Sequence, residues 1–262
     1  MKQIIVYILL ILAGVQNSWA LRDTVNAEKF IKDATMAKAN EAYQQERYKD
    51  AIDLYSSIYK TERVSAALYY NLGNSYYRTG NIAKAIVNYE RAYLLDPSDA
   101  DIKFNLDLAR SKTVDKITPQ SEMFFVTWTK ALILSTSVKG WATTAIVSFS
   151  LALMLVLVFI FYGNQLFRKV AFFSGIFFFL LFVVANIFAY VQQDNLIKRR
   201  SAIVIVPATS LKGAPSDNSA DVLSIHAGTK VYIDDPSMIE WKEVHLEDGK
   251  KGWVRISTIE II

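Results

Sequence analysis

Two long stretches of this chain carry no charge, residues 140–167 and 170–193. Within them, 142–162 and 170–190 are apolar runs of 21 residues, each enough, as a helix, to cross about 30 Å of hydrocarbon. Trp141, Tyr162 and Tyr190 stand at the ends of these runs, as an aromatic belt would. The run from Phe177 to Phe182 is apolar all round, which argues against a soluble hairpin. Two transmembrane helices are therefore expected, and all other parts must be arranged around them. They also explain the net charge of +4. Residues 121–200 hold seven cations against two acids, and those cations flank the spans. The C-terminal segment 201–262 is acidic, so no basic nucleic-acid face exists and a nucleic-acid partner is excluded. With no Cys and only two His, thiolate metal sites, disulfides and a cysteine nucleophile are excluded too. No cofactor is expected.

The N-terminus reads as an address. Lys2 precedes the apolar run Ile4 to Val15, and Ser18-Trp19-Ala20 places small residues before a cut after Ala20. This is the layout of a secretory signal peptide over 1–20, with a retained anchor or a buried helix as the other readings. Export of 21–140 makes the loop 163–169 cytoplasmic and leaves both soluble segments on the same, periplasmic face. The cation count alone points the other way. The short loop holds two cations, whereas the outer flanks hold Lys130, Lys139, Lys198, Arg199 and Arg200. The export signal is given precedence, because the first targeting signal usually dominates.

Upstream of the spans the chain repeats itself at a fixed interval. Asn40, Tyr43, Ala51-Ile52 and Tyr55 recur as Asn74, Tyr77, Ala85-Ile86 and Tyr89, and Asn71-Leu72 recurs as Asn105-Leu106. Tyr69, Leu72 and Tyr76 form a helical apolar stripe, Gly80-Asn81 marks a turn, and Pro97 stops a helix. Gly73, Ala85 and Ala92 are small where two helices must approach. The pattern closely resembles the tetratricopeptide repeat (TPR), whose period is about 34 residues. It predicts a TPR domain over 21–117, with repeats at about 32–65 and 66–99 and a capping helix over 100–112. Solenoids usually need about three repeats, so two and a cap should lean on a neighbour. Between this domain and the first span, 118–141 is a juxtamembrane segment. There Phe124, Trp128 and Leu132 recur at i, i+4, i+8, compatible with a helix in the membrane interface or with an ordinary packed helix.

From 199 to 262 the character changes to short β-branched runs: Ala202–Val206, Val222–His226, Lys230–Ile233, Trp241–Leu246 and Gly252–Arg255. Asp248-Gly249 between two of them is a hairpin signal. Five short strands suggest a small barrel. The stretch Trp241-Lys242-Glu243-Val244 followed by Asp248 to Val254 resembles the bacterial SH3-like (SH3b) domain. The fold class expected is thus a multidomain membrane protein: an all-α TPR solenoid, a two-helix transmembrane hairpin and a small all-β SH3-like barrel.

The SH3b resemblance implies a cleft for cell-wall peptides or other protein segments, which Tyr232, Trp241 and Trp253 would line. The alternative places both tryptophans in the core of a barrel too small to hide them fully. The TPR resemblance implies a groove lined by the first helix of each repeat. By register this includes Met36, Asn40 and Tyr43, then Tyr70, Asn74, Tyr77 and Arg78. Some TPRs clamp a ligand carboxylate with two asparagines and three cations. Asn40 and Asn71 match the asparagines, but Met36, Asp101 and Asn105 stand at the basic positions, so a carboxylate clamp is not expected.

The order of segments, with the stretch Asn81–Asp115 in particular, resembles the BatE proteins of the Bacteroidetes aerotolerance (Bat) operon. That resemblance implies a non-enzymatic inner-membrane component linked to oxidative stress tolerance, with von Willebrand A-type Bat proteins and a MoxR-type ATPase system as partners. No Walker A, GxGxxG or GxSxG run is present, and His226 and His245 lack partners at metal-ligand spacing, so an enzyme is disfavoured. Two readings remain: a periplasmic scaffold working through its TPR groove, or a wall-sensing protein whose barrel binds peptidoglycan.

Overall fold

The structure is a computed structural model that describes residues 36–61, 65–198 and 200–262. The signal-peptide reading of 1–20 lies outside the described residues. The chain divides into two units, 1–64 and 65–262.

In the first unit, helix α1 (36–44) and helix α2 (Tyr48–Thr61) form an antiparallel pair. The tight turn between them uses Glu46 at φ 60°, and Tyr43 and Tyr48 pack edge to face at 5.3 Å. Ala39, Ala42, Ala51, Tyr55 and Ile58 are buried. The small residues permit the close approach and the large ones fill what remains.

The second unit opens with α3 (Ala66–Arg78), α4 (Ile82–Leu95) and α5 (Ala100–Ser111). Each start carries its own cap: Ser65 accepts from the Leu68 N–H, Asn81 from Lys84, and Asp99 from Asp101 and Ile102. Gly80, at φ +80°, makes the turn between the first two. At Gly73 a Cβ would sit 2.7 Å from the Tyr89 ring, so only glycine lets α3 and α4 meet this closely.

Seven antiparallel strands follow the membrane-length helices: β1 (Ser201–Val204), β2 (Ala208–Lys212), β3 (Asp221–His226), β4 (Lys230–Asp235), β5 (Trp241–His245), β6 (Lys251–Arg255) and β7 (Ile259–Ile261). Their order, β3-β2-β6-β5-β4-β1-β7, leaves β3 and β7 as free edges. The closed barrel expected from sequence is therefore corrected to an open sheet. Its end strand β7 has only three residues and pairs only with β1, so no ladder joins it to β3. The sheet still surrounds one core, to which all seven strands contribute, with Val204, Leu211, Ile225, Val231, Val244 and Val254 among its members. Linker residue Ile117 packs against the same core.

The repeat leans on this sheet. Ala85, Ile86 and Tyr89 of α4 and Leu106 and Ala109 of α5 form one apolar cluster with Ile203 of β1 and Ile262. Strand β1 is thus buried on both faces, which is why its sequence runs Ala-Ile-Val without alternation. Polar ties surround the cluster. Lys84 and Arg91 of α4 both pair with Glu260, and Arg91 also donates to the Ile261 carbonyl at 2.7 Å. Glu90, 2% exposed, pairs with Arg110 at 2.5 Å and with Lys230 of β4 at 2.8 Å. The linker after α5 is strapped down as well. Asp115 accepts from the His226 N–H at 2.7 Å and from the Thr229 hydroxyl at 2.5 Å, and the Gln120 N–H donates to the Glu247 carbonyl. Gly228, at φ +92°, admits the linker there, since a Cβ would lie 2.5 Å from Thr113.

Between linker and sheet lie α6 (Phe124–Ile133), α7 (Val138–Phe161) and α8 (Gln165–Lys198). The last two are long and apolar enough to cross a membrane, and only 17% and 11% of their most apolar windows are buried. Their packing is inside-out. Ala145, Ser148 and Ala152 of α7 and Ala171 and Ala185 of α8 are buried, whereas Phe161, Phe173 and Leu166 face outward. Small residues at the contact and large apolar ones outside are what helix association in lipid requires. The turn between them is confined to 162–164, because Asn164 accepts from the Leu166 N–H and starts α8 early. Arg168 and Lys169 therefore sit on the first turns of α8.

Candidate functional site

The residues assigned to the TPR groove fall in both units. In the first, Asn40 accepts a hydrogen bond from the Tyr55 hydroxyl at 2.5 Å, while Tyr43 packs on Tyr48. In the second, Asn74 accepts from the Tyr89 hydroxyl at 2.7 Å, the same bond one repeat later. These asparagines thus tie the two helices of each repeat together, a role that explains their recurrence with the tyrosines 15 residues later. Asn105 on α5 extends the second tie. Its amide donates to the Tyr70 hydroxyl at 2.7 Å and to Asn74 at 3.3 Å. Tyr70, Asn74 and Asn105 thereby form one connected network across α3 and α5, joined to α4 through Tyr89, with the Tyr70 and Tyr89 rings 6.1 Å apart. Asn105 was not among the groove residues expected from sequence, although Asn105-Leu106 repeats Asn71-Leu72. Tyr77 is half-buried at the edge of the cluster facing the sheet, and Arg78 stands at the end of α3.

The electrostatics of the unit concentrate behind this face. Burial raises the Glu90 carboxyl pKa, but Lys230 and Arg110 outweigh it and hold the group below its ordinary value. Asp115 is likewise held low: burial is outweighed by its hydrogen bonds from Thr229 and from the backbone and ring of His226. Tyr93, near Glu90, is pushed up by burial first and by that carboxylate second.

On the sheet, Tyr232, Trp241 and Trp253 alternate with core residues and share the opposite face, through the pairings Tyr232↔His245, Glu243↔Trp253 and Trp241↔Arg255. They do not line one cleft. Trp241 is buried, with the Arg255 guanidinium 4.9 Å from its ring centre, and Arg255 is in turn held by Asp217. Tyr232 stacks on His245 at 5.2 Å and donates to Glu247 at 3.2 Å. Burial and then Glu247 push its phenol pKa above the ordinary value. Tyr232 borders two cavities of about 570 and 620 Å³, and neither tryptophan lines either of them. His226 and His245 each bond an aspartate, Asp115 and Asp234, at 2.8 and 2.7 Å. Among the described residues, no group of three or more metal-ligating side chains comes together.

Residues 36–102 match a family model described as the tetratricopeptide repeat. Among solved structures, the Sgt2 TPR domain from Aspergillus fumigatus is similar at 28% identity with a TM-score of 0.29, over 30% of this chain and 52% of that one. The chain thus spans about half the length of that domain. No curated protein matches it. Residues 36–102 thus carry the tetratricopeptide repeat, a type of module that binds other proteins. Here it is joined to two membrane-length helices and an open antiparallel sheet.

Proposed function

We propose that this protein is a non-enzymatic scaffold held in the bacterial inner membrane by α7 and α8, gathering partner proteins through its repeats on the periplasmic side. The supporting observation is the division of labour within the second unit. The sheet packs on α4 and α5, while on α3 Tyr70 and Tyr77 are only half-buried at the rim of that cluster, Asn74 is half-buried and Arg78 is exposed. An aromatic and amide-lined face of this kind suits an extended or helical protein segment held by packing and hydrogen bonds. The Bat-type resemblance makes von Willebrand A-type membrane proteins and the MoxR-type ATPase system the first partners to test. A wall-sensing role for the sheet is less well supported, since Trp241 lies under Arg255 and the three aromatics do not converge. The test is co-purification of the full chain from native membranes in mild detergent. Arg78→Glu with Tyr77→Ala should lower partner recovery while circular dichroism is unchanged; undiminished recovery from the folded variant would refute the groove.

A further inference from the structure

Helix α6 presents an apolar face that the protein leaves bare. At 100° per residue Phe124, Phe125, Trp128 and Leu132 fall within one arc of about 100°. Phe124 is 84% exposed and Trp128 66%. Val126 and Ile133, on the other side of the helix, are its only partly covered residues. Soluble monomers rarely leave such a patch in water. Lys130, paired with Glu122, lies outside the arc.

The position of α6 indicates what covers the patch. Its last carbonyl, that of Ile133, is held by both membrane-length helices. The Trp141 indole of α7 donates to the Ile133 carbonyl at 2.8 Å. The Gln192 amide of α8 donates to the same carbonyl and, at 2.8 Å, to that of Thr136. Trp141 stands just before the apolar run of α7, and Gln192 two residues beyond that of α8. Two side-chain anchors therefore hold the end of α6 beside the ends of the two apolar runs, where the spans leave the hydrocarbon. We infer that α6 lies in the headgroup layer of the bilayer, with Phe124, Phe125, Trp128 and Leu132 inserted, as a monotopic foot beside the two spans. The inference rests on the reading of α7 and α8 as membrane spans.

The absence of cysteine from the chain allows a direct test. Single variants Phe124→Cys, Lys130→Cys and, as a marker of the span, Leu157→Cys are spin-labelled in the full chain. Each is reconstituted into phosphatidylcholine/phosphatidylglycerol vesicles. Collision with oxygen, which concentrates in lipid, is compared with collision with a water-soluble nickel chelate. The expected result is an oxygen-to-nickel ratio several-fold higher at 124 than at 130, with 157 lipid-exposed. A lipid-exposed 157 with a nickel-accessible 124 overturns the inference and leaves the spans standing. A label at 124 that is immobile and shielded from both reagents overturns it in favour of a protein cover. A nickel-accessible 157 removes the membrane reading and the inference with it.

Discussion

Glu90 is the group whose removal most directly tests how the repeat is held on the sheet. It is 2% exposed and receives two charge-assisted hydrogen bonds, from Arg110 and Lys230. Such bonds are worth about 1.5–3 kcal/mol each. The Arg110 side chain is 40% exposed and regains water once released, so its share falls to at most about 1 kcal/mol. Lys230 is only 20% exposed and retains about 2 kcal/mol of its bond's value. Glu90→Gln keeps the volume and removes the charge, so it should weaken docking by about 2–3 kcal/mol. At 1.4 kcal/mol per factor of ten, that is about a 30- to 150-fold faster amide exchange wherever opening of the repeat–sheet contact controls it. The measurement is hydrogen–deuterium exchange with mass spectrometry on the detergent-solubilised full chain, following peptides from α4, β1 and β7. A companion variant, Glu90→Leu with Lys230→Met, removes both buried charges together and should fall within about 1 kcal/mol of the parent. If the α4 and β1 peptides of folded Glu90→Gln exchanged at parental rates, the ion cluster would not be holding the contact.

Asn74→Ala removes the acceptor of the buried Tyr89 hydroxyl and a partner of Asn105, and should cost about 1–3 kcal/mol in chemical denaturation. Tyr89→Phe in the same background should recover most of that loss. Gly73→Ala gains up to about 1 kcal/mol of helix propensity but places a methyl against the Tyr89 ring, for a net loss of about 1–2 kcal/mol by thermal melting. Glu90 and Asp115 both have folded pKa values below their ordinary ones. Their contribution is complete above the unfolded carboxylate values near about 4 and is lost as pH falls through the lower folded values. Exchange protection in α4 should therefore persist at pH 5 and decline only below about pH 4. Alkaline phosphatase fused after Gln120 or Ile262 should be active and after Asn164 inactive; the reverse pattern would restore the orientation favoured by the loop cations.

How much was legible in the sequence depended on whether the signal was local. The recurrence of the repeat needs only the chain itself, and the cap residues Ser65, Asn81 and Asp99 stand where helices begin. Five strands were legible as β-branched runs, while β2 and β7 were not. Strand β2 reads Ala-Thr-Ser-Leu-Lys, with one fully buried side chain, and meets β6 at a single register pair, Lys212↔Trp253. Strand β7 has three residues. The open edge was also out of reach, because closure depends on whether distant strands pair. At the groove, residue type identified the asparagines correctly as polar and repeated. Their bonds to Tyr55 and Tyr89 were visible only as two recurrences at matching spacing.

The same distinction explains how two repeats suffice. A solenoid normally buries the back of each repeat against the next one, and after α5 this chain has none to offer. The missing surface comes from elsewhere in the sequence. Ile203 and Ile262 meet Ile86, Tyr89 and Leu106 where a third repeat would pack, and Glu260 and Lys230 supply charges to match Lys84, Arg91 and Glu90. Each of these residues reads locally as ordinary: a glutamate on a helix, a lysine opening a strand, an isoleucine at the chain's end. Only their meeting makes Glu90 a buried charge with two partners. Breaking that cluster should loosen the repeat and the sheet together, whereas breaking the Asn74–Tyr89 tie should loosen the repeat alone.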